Sequence, residues 1–185
     1  LDSRGYEIPT VPQGYTQNTR EKLVSYLLSK QLEDGGFAFS GRYAEPDTTS
    51  IVISALTPYS QTINGVQAAI EKAVAKLSQM MGEDGSYKSY GVVNSESTAQ
   101  VLTALSVAHI SVEDSRFQKE NGNPLTALLT FQLADGSFCH IKDGGSNRMA
   151  TQQAAYALVA YTRDQENAAS LYSMSEVAQD TTLQQ

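Results

Sequence analysis

The stretch Gln31–Leu56, QLEDGGFAFSGRYAEPDTTSIVISAL, decides the fold because its main features recur twice further along the chain. An Asp-Gly pair, with an aromatic residue three positions after the Asp, begins at Asp34, Asp84 and Asp135. A Thr and then an Ala-Leu pair follow each turn: Thr49 with Ala55-Leu56, Thr98 with Ala104-Leu105, and Thr151 with Ala157-Leu158. A period of roughly fifty residues, kept three times, is typical of a repeat architecture.

Each recurring residue has a structural reason. An Asp-Gly pair after a helical run supplies a residue that tolerates positive φ, so the chain can reverse direction there. The aromatic side chain after the turn is expected to fold back onto neighbouring helices, where one ring buries a large apolar area. The Thr falls in the first turn of the next helix. We therefore interpret the Asp-Gly turns as structural features rather than as binding sites.

Helical spacing of apolar residues predicts six helices that alternate between two types. The odd-numbered helices carry one apolar face, whereas the even-numbered helices are apolar nearly all round and are expected to be buried. We place a first helix from near Asn18, with Glu21 in a capping-box position, and a fifth beginning at Asn123-Pro124 and reaching Leu133. The others are placed at Thr48–Tyr59, Val66–Met80, Ser95–His109 and Met149–Thr162.

The alternation predicts an all-α chain of three helical hairpins, with an inner helix layer wrapped by an outer layer. A short seventh helix is expected around Ala168–Tyr172, and Gly91-Val92-Val93 is too short to predict a strand. The chain divides into an extended lead-in at 1–17, a repeat domain at 18–178 and a disordered tail at 179–185. The three repeats cover about 18–60, 65–110 and 121–163.

Composition narrows the classes of function. The chain has 185 residues with a net charge of −7 and no run of Lys or Arg, which argues against nucleic acid or an anionic membrane as a partner. The single Cys139 excludes an internal disulfide. No apolar run reaches the ~18 residues of a membrane span, so we expect no direct membrane insertion. Because the first residue is Leu rather than Met, we expect a processed or trimmed piece of a larger protein.

Four segments carry a resemblance to a known superfamily: QLEDGGFAFS at 31–40, EPDTTSIVISALTPY at 45–59, NSESTAQVLTALS at 94–106 and ATQQAAYALVAYTR at 150–163. They resemble the prenyltransferase and squalene-oxidase-type repeats of the terpenoid cyclase and protein prenyltransferase superfamily. The chain is most similar to uncharacterised domains of Gram-positive bacterial surface proteins. The resemblance covers nearly the whole chain. It implies a partial α/α toroid of three helical hairpins plus a short C-terminal helix, and an extracellular or cell-surface location.

The enzymes of that superfamily can be compared position by position. In triterpene cyclases an Asp before an inner helix protonates the substrate, and Asp47 occupies that register. Protein prenyltransferases bind zinc through Asp, Cys and His, whereas Thr49 and Ala150 occupy the Cys and His positions here. The resemblance therefore implies neither a metal nor a cofactor. The interpretation of Asp47 from local chemistry is a helix N-cap, favoured by the helix dipole.

A further candidate catalytic pair follows the third Asp-Gly turn. Cys139 and His140 could serve as a nucleophile and a base, but adjacent loop residues seldom orient for proton transfer. We interpret them as a packed Cys beside a surface His.

Polar residues in the first turns of the predicted inner helices form the candidate ligand site. If these helices run parallel, seven residues gather at the mouth of a central cavity: Asp47, Thr49, Glu96, Thr98, Gln100, Thr151 and Gln153. Helix capping explains such residues equally well. Carboxylates and amides at this position would suit a hydroxyl-rich or cationic ligand.

Two functions follow as hypotheses. The first is a non-catalytic binding or scaffold module of a secreted or cell-surface bacterial protein. Its partners would be a small polar ligand and either further repeats or domains of a parent protein or a homodimer. The alternative is a terpenoid-cyclase-like or prenyltransferase-like enzyme fragment that uses Asp47 as general acid.

The comparison with prenyltransferases predicts that this chain binds no stoichiometric zinc. Zinc sites need several thiolate or imidazole ligands, and hydroxyl and methyl groups stand at two of the three positions. Elemental analysis of protein purified without added metal should find far less than one zinc per chain. One zinc per chain would show that the comparison of positions is misaligned.

Overall fold

The computed structural model describes residues 2–173 and is mainly helical, which confirms the predicted helical class. The helices are α1 (Arg20–Leu28), α2 (Pro46–Leu56), α3 (Val66–Met80), α4 (Ser95–Val107), α5 (Pro124–Leu129) and α6 (Arg148–Gln165). Short 3₁₀ turns span Asp2–Arg4 and Thr57–Tyr59. The predicted bounds of α3 match, and those of the other helices differ by one to four residues. Asn123 and Pro124 begin α5 as predicted, with the Asn123 side chain accepting from two backbone amides.

The prediction that no strand forms near Val92 is wrong. Strands β1 (Lys88–Ser89) and β2 (Val92–Val93) pair as a two-residue antiparallel hairpin. Tyr90 and Gly91 connect them with φ of 49° and 82°. Two successive positive φ values produce the tight turn that lets so short a pair of strands meet.

The predicted seventh helix around Ala168–Tyr172 is also absent. Asn167 has a φ of 51°, which reverses the chain directly after α6. The carbonyl of Ala169 accepts a hydrogen bond from Nε of Arg163 at 2.6 Å, so a side chain holds this segment in an irregular conformation. The expected tail at 179–185 lies outside the described residues.

Helices α2, α4 and α6 lie side by side with α4 in the middle, while α3 packs against α2 and α5 against α4. Contacts between their ends show that the three inner helices run parallel. The Ser97 hydroxyl donates to Oδ2 of Asp47 at 3.0 Å, joining the first turns of α4 and α2. His109, just beyond α4, contacts Asp164 in the last turn of α6 at 2.7 Å. All three N-termini therefore point to one end of the molecule.

The prediction that the even-numbered helices are wholly buried holds only for α4. This helix is buried along its length except at Glu96 and Gln100. Helix α2 exposes Ile51 and Ala55, and α6 exposes a larger set: Arg148, Met149, Gln152, Ala155, Tyr156, Val159, Thr162 and Gln165. The reason is that α2 and α6 each have an inner-helix neighbour on one side only.

One hydrogen bond recurs in all three repeats. The Thr hydroxyl in the first turn of each inner helix accepts from the backbone N–H of the aromatic residue after the Asp-Gly turn. The three bonds are Phe37 to Thr49 at 3.0 Å, Tyr87 to Thr98 at 3.1 Å, and Phe138 to Thr151 at 2.9 Å. All three aromatic side chains are buried. The bond thus holds each aromatic in the core and ties the loop to its helix.

The Asp-Gly turns behave as the sequence predicts. In each turn the Asp carboxylate accepts from the backbone N–H two residues later, and each Gly adopts a φ of 84–88°. The first two turns also contact the next outer helix. A Cβ on Gly85 would lie 2.4 Å from the backbone of Asn123, and one on Gly35 would lie 2.8 Å from the carbonyl of Lys72. Gly136 has no such neighbour among the described residues, so the third turn is open on that side.

The lead-in is irregular apart from its 3₁₀ turn. Asp2 accepts hydrogen bonds from Nε of Arg20 at 2.6 Å and from the hydroxyl of Tyr59. Nη2 of Arg20 donates to the carbonyl of Tyr6. These contacts fasten the start of the chain to α1 and to the C-terminal end of α2.

Replacing Thr98 by Val should destabilise the fold by about 1–3 kcal/mol, because the buried amide of Tyr87 would lose its only observed partner among the described residues. Chemical denaturation monitored by circular dichroism measures the free energy of unfolding. Thr162→Val is the matched control, since Thr162 is an exposed residue of α6. Equal stability of the two variants would mean that the repeated bond contributes nothing.

Candidate functional site

The candidate site lies at the N-terminal ends of α2, α4 and α6, but the seven predicted residues do not form one open ring there. Thr49 and Thr98 are fully buried, and the hydroxyls of all three threonines bind loop backbone. Each hydroxyl also donates to a backbone carbonyl. These three residues are therefore removed from the predicted ligand site. Asp47, Glu96, Gln100 and Gln153 remain.

The interpretation of Asp47 as a helix cap is wrong. Glu45 occupies the N-cap position of α2, and Asp47 is the second residue of the helix. Oδ2 of Asp47 accepts from the Ser97 hydroxyl of α4 instead. The carboxylate of Glu45 is held locally by the backbone N–H of Phe39 and the hydroxyl of Thr48. Asp47 thus joins two inner helices beside the β1–β2 hairpin, which contacts both.

Burial raises the pKa of the Asp47 carboxyl above its ordinary value. Hydrogen bonds from Ser97, from the Asp47 backbone and from Ser89 oppose this shift in pKa, and the nearby Glu45 charge adds to it. No cation neutralises Asp47 in any of the ion pairs found within residues 2–173. Desolvation without a cationic partner is the condition under which a carboxyl retains its proton to higher pH.

The other polar residues pair with neighbouring elements. Oε2 of Glu96 lies 2.7 Å from Nδ1 of His140, which stands in the loop before α6. Nε2 of Gln100 donates to Oε1 of Gln153 at 3.4 Å, a long bond between α4 and α6. The Asp47 bond joins α2 to α4, and the Gln153 bond joins α6 to α4. They are two separate polar contacts rather than one cluster.

A cavity of about 570 Å³ lies beside the inner helices α2 and α4. Its walls come mainly from the exposed side of α2, with Gln100 and Val107 of α4 opposite. Asp2, Ser3 and the segment 170–173 close its far end. Gln100 therefore belongs both to the polar link with Gln153 and to this largely apolar cavity.

A second cavity, of about 640 Å³, was not predicted. It lies at the C-terminal ends of α2 and α4, between the start of α3 and the segment after α4. Glu71, His109 and Arg116 contribute charged or titratable groups to its lining. Arg116 is held by both carboxylate oxygens of Asp114. No spacing pattern could have revealed this site, because Arg116 lies in an irregular stretch between α4 and α5.

The residues that the sequence offers as catalytic or metal-binding candidates have other roles in the structure. Cys139 is buried and its thiol donates to the carbonyl of Phe131 at 3.2 Å, while His140 faces Glu96. The two side chains therefore do not act on each other. Ala150 is fully buried. Within residues 2–173, no group of three or more His, Cys, Asp or Glu side chains is placed to hold a metal ion.

Comparisons with protein-family models and with curated proteins find no match to this chain. In the described part of the chain, no helix combines the length and the apolar character needed to cross a membrane.

Replacing Asp47 by Asn tests the electrostatics of this site. Because burial raises the pKa of Asp47, the folded state binds a proton more tightly than the unfolded state, and this contribution to stability falls as pH rises through the folded pKa. The Asp47→Asn variant has no titrating carboxyl at this position, so its stability does not fall with rising pH for this reason. The difference in unfolding free energy, variant minus wild type, should therefore increase as the pH rises from 4 to 7.

Asp135→Asn is the control of opposite sign. Hydrogen bonds from Ser137 lower the pKa of the Asp135 carboxyl, so the wild type gains stability above the ordinary pKa and loses it as pH falls through the folded pKa. The unfolding free energy of Asp135→Asn minus that of the wild type should therefore fall as the pH rises from 2 to 4. A falling difference for Asp47→Asn would show that the serine bonds outweigh burial.

Proposed function

We propose that this chain is part of an α/α toroid and acts as a non-catalytic binding or scaffold module of a secreted or cell-surface bacterial protein. A small polar ligand would bind at Gln100, which lines the cavity and is bonded to Gln153, with Asp47 nearer the N-terminal end of α2. The observation that carries the proposal is a side-chain amide on the cavity wall, that of Gln100, whose one hydrogen bond found among the described residues is long. The threonine hydroxyls both donate and accept hydrogen bonds with backbone groups. The Gln100–Gln153 bond, by contrast, is long, and Gln100 lines the cavity.

The toroid part of the proposal rests on parallel inner helices with open flanks. Helices α2 and α6 each expose the side away from α4, and Gly136 has no neighbour such as those that Gly35 and Gly85 have. Further repeats or domains of a parent protein, or a second copy, would cover these surfaces, because exposed apolar area commonly marks an interface. Stacked helical hairpins of this kind contact mainly their neighbours and need their terminal surfaces covered.

The ligand class follows from the groups available. Two amides offer both donors and acceptors, and the carboxylate of Asp47 adds acceptors or, when protonated, one donor. Hydroxyl-rich compounds and small cations match this set. Anionic compounds do not, since Asp47 would repel them.

One observation favours the second candidate, an enzyme fragment in which Asp47 is a general acid. Its pKa is raised, as a proton donor requires. Against this candidate, α2 contributes Ile51, Ser54 and Ala55 to the cavity wall, and Tyr172 is the only aromatic residue that lines the cavity within residues 2–173. A carbocation would therefore find little cation–π stabilisation.

A thermal-shift screen of sugars, polyols and polyamines against the full chain tests the binding proposal. At least one compound should raise the melting temperature of the wild type, and Asp47→Asn or Gln100→Leu should abolish that shift while the variants remain folded. Asp135→Asn, at an exposed turn, should retain it. A screen without any shift, or shifts that survive both site variants, would contradict the site.

The enzymatic candidate is tested separately. The wild type and Asp47→Asn are incubated with squalene, and the products are analysed by gas chromatography. Cyclised product from the wild type alone would establish Asp47 as the acid and overturn the non-catalytic proposal.

A further inference from the structure

The three repeats can be aligned residue by residue. The Asp of each Asp-Gly turn fixes the position of the outer helix before it, and the recurring Thr fixes that of the inner helix after it. Wherever a repeat has a neighbour on the same side, equivalent positions should be buried to a similar extent, because each repeat contacts only its neighbours. A position that is buried in two repeats and exposed in the third therefore shows where a neighbour is missing.

The third repeat lacks a neighbour after it. The glycines of the first two Asp-Gly turns are buried, whereas Gly136 is exposed. Two positions are buried in α2 and α4 and exposed in α6: Ser50, Ala99 and Gln152 are equivalent, and so are Ile53, Leu102 and Ala155. Ala99 and Leu102 share a core cluster with the buried alanines of α6, so this side of an inner helix faces the next one. Tyr156 and Val159 of α6 are also exposed, although their equivalents in α4 are buried hydroxyl residues. We call this surface the trailing face: Gly136, Gln152, Ala155, Tyr156 and Val159.

The first repeat lacks a neighbour before it. Leu23 of α1 is 42% exposed, whereas the equivalent Ala73 and Pro124 of the later outer helices are buried. Tyr26, about one turn further along α1, is 60% exposed. Ala55 of α2 is exposed, whereas its equivalents in α4 and α6 are fully buried. The lead-in, which is bonded to α1 and to the end of α2, leaves these side chains in water. We call Leu23, Tyr26 and Ala55 the leading face.

Within the chain, a trailing side meets a leading side at two junctions, and both junctions have the same register. Lys72 and Asn123 are equivalent, and the backbone of each lies beside the glycine of the preceding turn, at 2.8 Å and 2.4 Å from an added Cβ. In the first junction the side-chain amide of Gln31 also donates to a backbone carbonyl of α3 at 2.8 Å. Gln132 and Gly136 hold the equivalent places in the third turn, and both are exposed. Within residues 2–173, the third turn therefore carries the groups of a junction without the helix that would complete it.

We propose that copies of this chain associate head to tail, with the trailing face of one copy packed against the leading face of the next in the register of the internal junctions. The backbone of Lys22, the residue equivalent to Lys72, would then lie against Gly136 of the other copy. The inference rests on the proposed open toroid, and the partner is a second copy because this chain carries both halves of the same junction. Apolar side chains on both faces, such as Leu23 and Tyr156, would leave water. Since the two faces differ, association ends in a closed ring or continues into a filament.

Sedimentation velocity of the full chain over a range of concentrations tests this association. The wild type should form dimers or larger species. Ala155→Glu on the trailing face and Leu23→Glu on the leading face should each weaken association at least about tenfold, because each would bury an unpaired charge. Both residues are exposed in the single chain, so the melting temperatures should not fall. Ser25→Glu is the matched control and should associate like the wild type, since Ser25 and the equivalent Ala75 and Thr126 are exposed in all three repeats.

Mixing the two blocked variants distinguishes a head-to-tail contact from a symmetric one. Each variant alone should be a monomer where the wild type associates, but the mixture should form a complex of one copy of each, since Ala155→Glu keeps the leading face and Leu23→Glu keeps the trailing face. A wild type that stays monomeric up to about 0.5 mM would overturn the proposal. A mixture that stays monomeric, or association that survives either variant, would also overturn it. Both blocked variants retain Asp47 and Gln100, so the thermal-shift screen of these monomers tests the small-ligand site independently.

Discussion

The structure depends on a hydrogen bond between a threonine hydroxyl and the backbone amide of a buried aromatic residue. The bond occurs in each repeat at 2.9–3.1 Å. Burying an aromatic residue in a loop also buries its backbone, and an unpaired buried amide would be costly. Threonine supplies the acceptor from the first turn of the next helix. The same contact therefore satisfies the loop backbone, fills the core and fixes where each loop leaves the helix.

Stacking of the hairpins follows from this local arrangement. Once the aromatic is fixed, the glycine of the preceding turn lies close enough to the next outer helix that no side chain fits at Gly85. Each hairpin thus positions the following one, and the inner helices remain parallel. Because the third turn lacks such a neighbour among residues 2–173, and α2 and α6 expose their outer flanks, the arrangement is open at both ends.

Parallel inner helices gather two kinds of group at one end of the molecule. The helices contribute Asp47, which is bonded to Ser97, and the Gln100–Gln153 pair, of which Gln100 lines the cavity beside α2. The loops contribute the exposed aromatic side chains Phe39, Tyr43 and Tyr90. A rigid scaffold with polar and aromatic groups on the loops at one end is a common arrangement for binding. The raised pKa of Asp47 reflects its burial between helices without a cation.

The sequence by itself determined the repeat, the helical class, the bounds of α3 and the start of α5, because these follow from local periodicity and capping chemistry. It could not assign the polar residues at the helix starts. Asp47 and Thr49 are two positions apart, which on a helix is a rotation of about 200°, so one faces α4 and the other faces the Phe37 amide. Which side of a helix meets a neighbour depends on how the hairpins stack. Only the tertiary structure decided that Thr49 belongs to the fold, that Asp47 links two inner helices, and that α2 and α6 remain open on one side.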